Sequence, residues 1–228
     1  MATTLHPTAT PRAHQAPRTA SATWAWAGAA AGLTALVALL FASGVGSGNR
    51  DHLIDNALIA KDVAGKEGLV WLWQVTSVGA ALGIAVFAAG LRRRLGAQAP
   101  AASLLPGLAT AGLASVALML LVGGGIATEM FHNVAHASET DPDTIAANLS
   151  IYATMGWVWG GLALTTGSVA VAGLRHGAFP RWIGRFSAVI TVLIGISQLV
   201  PFQYLAALIG APWLMVVGIG LARRERGA

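Results

Sequence analysis

Five stretches of this chain contain no Asp, Glu, Lys or Arg: 24–49, 68–91, 95–128, 144–174 and 186–222. A helix needs about 20 mostly apolar residues to cross a hydrocarbon core about 30 Å thick, so each stretch is long enough to span a membrane. The last holds 37 residues. As one helix it would reach about 55 Å at about 1.5 Å per residue, too long for a single crossing. Pro201-Phe202-Gln203 sits near its middle, and proline ends or kinks a helix. The pattern therefore predicts six spans, at about 24–45, 68–91, 104–127, 151–174, 184–201 and 204–222. The fold class is an all-α, multi-pass transmembrane helical bundle. Residues 1–23, rich in Thr, Pro, Ala and Gln with no apolar period, are expected to be a disordered tail. Residues 223–228 are expected to be a short basic tail.

Composition excludes the soluble alternative. Apolar residues are 55 % of the 228 and charged residues 10 %, against about 25 % charged in soluble domains. The absence of cysteine removes disulfides, thiolate nucleophiles and thiolate metal sites. The net charge is +5, but the basic residues cluster beside the apolar runs, which fits membrane orientation and not nucleic-acid binding. With the amino terminus inside, the inner segments hold Arg12, Arg18, Arg92, Arg93, Arg94, Arg175, Arg181, Arg185, Arg223, Arg224 and Arg226, and the outer ones only Arg50, Lys61 and Lys66. Eight of the nine acids fall on the outer side, Glu225 being the exception. The positive-inside rule thus places both termini in the cytoplasm of a bacterial inner membrane. Ala42-Ser43-Gly44 resembles a cleavage site, but the apolar run before it exceeds the usual signal-peptide core of about 7–15 residues, so an uncleaved first span is expected.

Spans two and four share a signature, Trp71-Leu-Trp73 with Ala89-Gly90-Leu91-Arg92 and Trp157-Val-Trp159 with Ala172-Gly173-Leu174-Arg175. This suggests a duplicated helical hairpin, spans two–three and four–five, a plan some transporters share. Trp24, Trp26, Trp71, Trp73, Trp157, Trp159 and Trp182 fall near predicted span ends, where interfacial anchoring is expected. Small residues, not apolar burial, draw helices together in lipid. The pairs Gly28/Gly32, Gly79/Gly83 and Gly156/Gly160 are spaced for such contacts, within a compact bundle or with a second copy or a partner membrane protein. Gln74, Thr76, Ser77, Thr165, Thr166 and Ser168 are expected to hydrogen-bond between helices.

Chemistry concentrates at one place. Glu129, His132 and His136 at the outer end of span three share a helical face if the helix continues through them. Carboxylate and imidazole are ligands for zinc and iron. Asp51, His52 and Asp55 lie in the first outer loop, on the same side, and could complete a four-ligand shell. A solvated helix end accounts for the same residues without a metal. His132 and His136 share one face, which does not suit haem, whose axial ligands come from opposite sides. No Walker loop, H-E-x-x-H or G-x-S-x-G occurs. No Asp, Glu, Lys or Arg lies mid-span, which disfavours an ion-coupled pump or a voltage sensor.

The six-span plan and the Phe179-Pro180-Arg181-Trp182-Ile183-Gly184 start of span five resemble a family of bacterial membrane proteins, common in actinobacteria, for which no activity is assigned. The resemblance covers most of residues 24–222. It implies the fold but no activity, and it transfers no functional residue. The Glu129/His132/His136 face is not a mark of that family. Three roles follow as expectations: an accessory or structural membrane component, an outer-face metal-binding protein or metal-dependent enzyme, and a small transporter.

Overall fold

The computed structural model describes residues 22–46, 48–100 and 102–226. Of the expected amino-terminal tail only Ala22 and Thr23 are among them; the rest, with Arg12 and Arg18, lies outside. Helix α1 is Thr23–Val45, α2 Asn56–Val63, α3 Glu67–Gln98, α4 Leu105–Ala135, α5 Pro142–Thr154, α6 Leu162–Arg175, α7 Arg181–Leu199 and α8 Leu205–Arg226. Short 3₁₀ turns cover Arg50–Ile54 and Met155–Gly161. No strand occurs among the described residues. Six helical stretches are long and apolar enough to cross a membrane, with α5, the second 3₁₀ turn and α6 together making the fourth. The chain is an all-α, multi-pass membrane bundle.

The helices differ in extent from the apolar runs. At 32 residues α3 spans about 48 Å, and continues through Arg92–Arg94 because no breaker precedes Pro100. Helix α4 runs on through Glu129 and His132 to Ala135. The basic segment from 223 continues α8 as far as Arg226 instead of forming a tail. The split at Pro201 stands: Val200 is extended (φ −116°, ψ 160°), the conformation that a following proline favours. Pro212 lies inside α8 without ending it, as membrane helices tolerate when neighbours satisfy the freed carbonyl.

The core forms where small residues let α1, α3 and α8 meet. A Cβ on Gly32 would run into the backbone of Met215, and one on Gly218 into that of Ala29, so α1 and α8 are in backbone contact. Gly28 receives the Phe87 ring of α3. Of the six spaced glycines, only Gly79 has merely ordinary clearance, 3.7 Å to Thr34; the other five face neighbours within this chain. Polar side chains add cross-links. Gln74 donates to Thr128 (3.0 Å), Thr165 to the Ala109 carbonyl (2.8 Å), Thr191 to Thr166 (2.8 Å) and Trp213 to Ser187 (2.9 Å). Thr76 and Ser168 instead donate to carbonyls of their own helices, the bond available to a hydroxyl one turn on.

The tryptophans depart from the expectation of anchoring. Trp71, Trp157 and Trp182 are exposed, but Trp24, Trp73, Trp159 and Trp213 are buried. In Trp-x-Trp the two rings stand about 200° apart on a helix, so only one can face lipid. The hairpins α3–α4 and α6–α7 pack as pairs, with α4 against α6. Their duplicated Trp-x-Trp segments share the same exposed-then-buried order.

Candidate functional site

The residues singled out for metal lie apart from one another in role. Glu129, His132 and His136 occupy the end of α4 and are all exposed. His136 Nδ1 lies 3.0 Å from the His132 carbonyl oxygen, and the His132 ring meets Phe131 edge-on at 5.5 Å. In the first loop Asp55 caps α2, its carboxylate accepting from the amides of Ala57 (2.9 Å) and Leu58 (3.3 Å), as a short acceptor at an N-cap does. Asp51 is exposed, its amide donating to Asn49 Oδ1 at 3.0 Å. His52 Nδ1 lies 2.8 Å from Asp62 Oδ2 in a half-buried pair. Among the described residues no three His, Asp or Glu side chains are grouped so as to hold a metal ion.

A cavity opens at Asn56, the residue after Asp55, and none of the six metal candidates lines it. Helix α5 leans on α2 and α4 and barely touches α1. The space left between α1, α5 and the start of α8 is an open cavity of about 790 Å³. Its mouth carries Asn56 and Asp143, joined by a 2.7 Å hydrogen bond from the Asn56 amide to Asp143 Oδ1. Its walls are Leu39 and Ala42 of α1, Ala146 and Ala153 of α5, and Tyr204 and Leu208. From Asp143 to Gly156 the wall runs 13 residues along the chain, about 20 Å at helical rise.

The floor is the break in span four. Met155–Gly161 reads MGWVWGG, with glycine at three of seven positions, each costing an α-helix about 1 kcal/mol relative to alanine. Neighbours exploit the missing side chains. The Tyr204 carbonyl sits where a Gly156 Cβ would be, and Gln198 occupies that place at Gly160. The backbone tightens to 3₁₀, which in mid-helix often marks a functional hinge. Past the floor lies a second, smaller cavity of about 60 Å³, lined by Trp73, Ser77, Met119, Met155 and Trp159 among others. Leu39, Ala42, Tyr152, Ala153 and Gly156 line both cavities. The buried tryptophan of each duplicated segment therefore faces the inner cavity.

Tyr152 stands at the junction. It is 2 % exposed, and its ring lies 4.8 Å from that of Trp73. Its hydroxyl is buried with no hydrogen-bond partner among the described residues. A buried hydroxyl left so costs about 1–3 kcal/mol, and among the described residues it is the one fully buried side-chain polar atom left orphaned in the cavity walls. Its location in span four was visible in the sequence, but its inward face was not.

The opposite end of the bundle is closed. Glu225, the one acid there, accepts from Arg94 (2.9 Å) and from Trp24 Nε1 (3.1 Å), and Arg94 lies 5.5 Å from the Phe179 ring centre. Both charged side chains are only 14 % exposed. The clasp ties the ends of α1, α3 and α8 to the loop before α7.

No protein-family description, characterised protein or solved structure matches this chain.

Proposed function

We propose that this protein is a non-catalytic accessory component of a bacterial inner membrane whose working part is a cavity for a small amphiphilic guest. Its arginine-rich end and both termini face the cytoplasm, and the cavity opens outward. The orientation rests on the distribution of arginine. The guest-binding role rests on one observation, the orphaned Tyr152 hydroxyl buried between the two cavities. The gradient from Asn56 and Asp143 at the mouth to Trp73, Trp159 and two methionines at the floor suits a molecule with one polar end and one apolar end.

A thermal-shift titration of the full chain with a single-chain amphiphile tests the cavity. Wild type should gain a saturable rise in Tm, since a ligand that binds only the folded form stabilises it. Ala153→Trp, at a position lining both cavities, should abolish that rise. Equal responses of the two proteins would overturn the assignment. For the threading, a carboxyl-terminal tag should resist protease added to intact cells, and its removal would reverse the orientation.

The broken span favours a second role, passage of the guest. Discontinuous helices flank the binding sites of many transporters, and here the cavity is open at the acidic end and clasped by Arg94 and Glu225 at the other. Uptake of the amphiphile into proteoliposomes, lost in Ala153→Trp, would establish it. Binding without uptake would leave the accessory role.

A further inference from the structure

We infer that the inner end of the guest carries an uncharged carbonyl group, held between the Tyr152 hydroxyl of α5 and the Ser77 hydroxyl of α3. This inference rests on the guest-binding role proposed above and adds the chemical group recognised at the floor. The hydroxyls along the two cavities divide into spent and unspent. Ser43 donates to the Leu40 carbonyl at 2.8 Å and Ser150 to that of Ala146 at 3.0 Å, each on its own helix. Thr76, one residue before Ser77, also donates to its own helix. Ser77 and Tyr152 are each 2 % exposed and line the inner cavity. Neither of their hydroxyls makes a hydrogen bond among the described residues. The two come from different helices. Trp73, one turn before Ser77 on the same face of α3, joins them by its 4.8 Å ring contact with Tyr152.

Size, charge and proton count choose the occupant. The inner cavity of about 60 Å³ is roughly two waters' share of liquid volume, well short of the about 150 Å³ that takes a benzene ring. It admits the tip of a guest, the remainder lying in the 790 Å³ cavity that shares Tyr152 and Ala153 with it. No Asp, Glu, Lys, Arg or His lines the inner cavity, so a charged group there would have no counter-ion, an expensive placement at membrane depth. A bare alkyl tip would leave both hydroxyls unsatisfied. A carbonyl oxygen has two lone pairs and no proton, so it accepts from both hydroxyls and leaves no donor over. A guest hydroxyl would bring a third proton to place. The Met119 and Met155 thioethers on the same wall are flexible enough to give the oxygen room beside the phenol. The class of guest is thus an amphiphile with a ketone, aldehyde or ester at its buried end.

The test uses the full chain in bilayer discs of ether-linked lipid, which has no carbonyl of its own. The probes are plain dodecyl maltoside and dodecyl maltosides with an isotope-labelled ketone at successive chain positions. Binding is read above that of Ala153→Trp discs. The ketone that matches the depth of Tyr152 should bind about tenfold more tightly than the plain chain, and its infrared carbonyl band should move to lower frequency. Tyr152→Phe and Ser77→Ala, neither of which removes a hydrogen bond from the free protein, should each cut that advantage about threefold. Together they should abolish it, along with the band shift, whereas Ser43→Ala should change neither. Equal binding of ketone and plain chains, both lost in Ala153→Trp, would overturn the carbonyl assignment and leave the guest-binding role standing. A ketone advantage that survives the Tyr152→Phe/Ser77→Ala double variant would overturn the assignment too. Binding of no probe above the Ala153→Trp background would overturn the guest-binding role, and this inference with it. Once the ketone advantage is established, competition by ester-linked lipid would add that the bilayer's own esters supply the carbonyl, and lack of competition that a scarcer ketone or aldehyde does.

Discussion

The two ends of this bundle solve the same packing problem in opposite ways. At the arginine-rich end α1, α3 and α8 press together through glycine and close over a single buried acid. At the acidic end α5 stands away from α1, and among the described residues Asp143 on the cavity wall has no cation as partner and the Tyr152 hydroxyl is buried without a hydrogen-bond partner. The closed end ties its one acid to Arg94 and Trp24, with Arg94 Nε left buried without a partner among the described residues. The open end pairs His52 with Asp62 and Asn56 with Asp143 but leaves a cavity between its helices. The two ends therefore differ in packing more than in polar satisfaction.

The comparison can be broken most severely at the closed end. Gly218→Leu would drive a side chain into the α1 backbone at Ala29. We expect loss of the monodisperse species on size-exclusion chromatography, whereas Gly79→Ala, where clearance is 3.7 Å, should elute as wild type. Next in size is Glu225→Ala, which strands the Arg94 guanidinium at 14 % exposure. Removing one partner of a buried pair costs about 3–5 kcal/mol. Replacing both Arg94 and Glu225 with methionine should restore most of that loss in equilibrium unfolding.

At the open end the effects on the unliganded protein should be small or inverted. Tyr152→Phe deletes a hydroxyl with no partner to lose, so stability should hold or rise by up to about 1 kcal/mol. The same variant should reduce the rise in Tm given by an amphiphile that carries a hydrogen-bonding group. A loss of about 2 kcal/mol or more without ligand would mean that the hydroxyl has a partner after all. The smallest expected effect concerns metal. Elemental analysis should find less than about a tenth of an equivalent of zinc or iron in the wild type. His132→Ala/His136→Ala should match it, because the two imidazoles and Glu129 are exposed and converge on no further ligand among the described residues. A stoichiometric metal lost in the double variant would restore the cluster as a site.

The two hairpins carry a related lesson. Both contain Trp-x-Trp, yet Trp71–Trp73 sits in one continuous 32-residue helix and Trp157–Trp159 in a 3₁₀ turn. The difference is local glycine content. Span two has no glycine between Gly68 and Gly79, whereas Gly156, Gly160 and Gly161 bracket the second motif. Residues Tyr204, Gln198 and Ser115 press into the gaps they leave. The duplicated pattern was readable along the chain, but the break needed those neighbours to be known.

Sequence alone determined the number of spans, the break at Pro201 and the segregation of arginine from acid. Each is a statement about which residues tolerate lipid and which require water, a property of residues taken in short runs. It also exposed Glu129, His132 and His136 as a face of α4, since helical spacing fixes that much. Only the tertiary structure decided that His52 turns to Asp62, that Asp55 is consumed as a helix cap, and that Trp73, Tyr152 and Trp159 converge on one cavity. Convergence depends on how far one helix stands from another. That distance is set by where a missing Cβ lets backbones touch and where a larger side chain holds them apart, a relation between partners distant in the chain that periodicity does not encode.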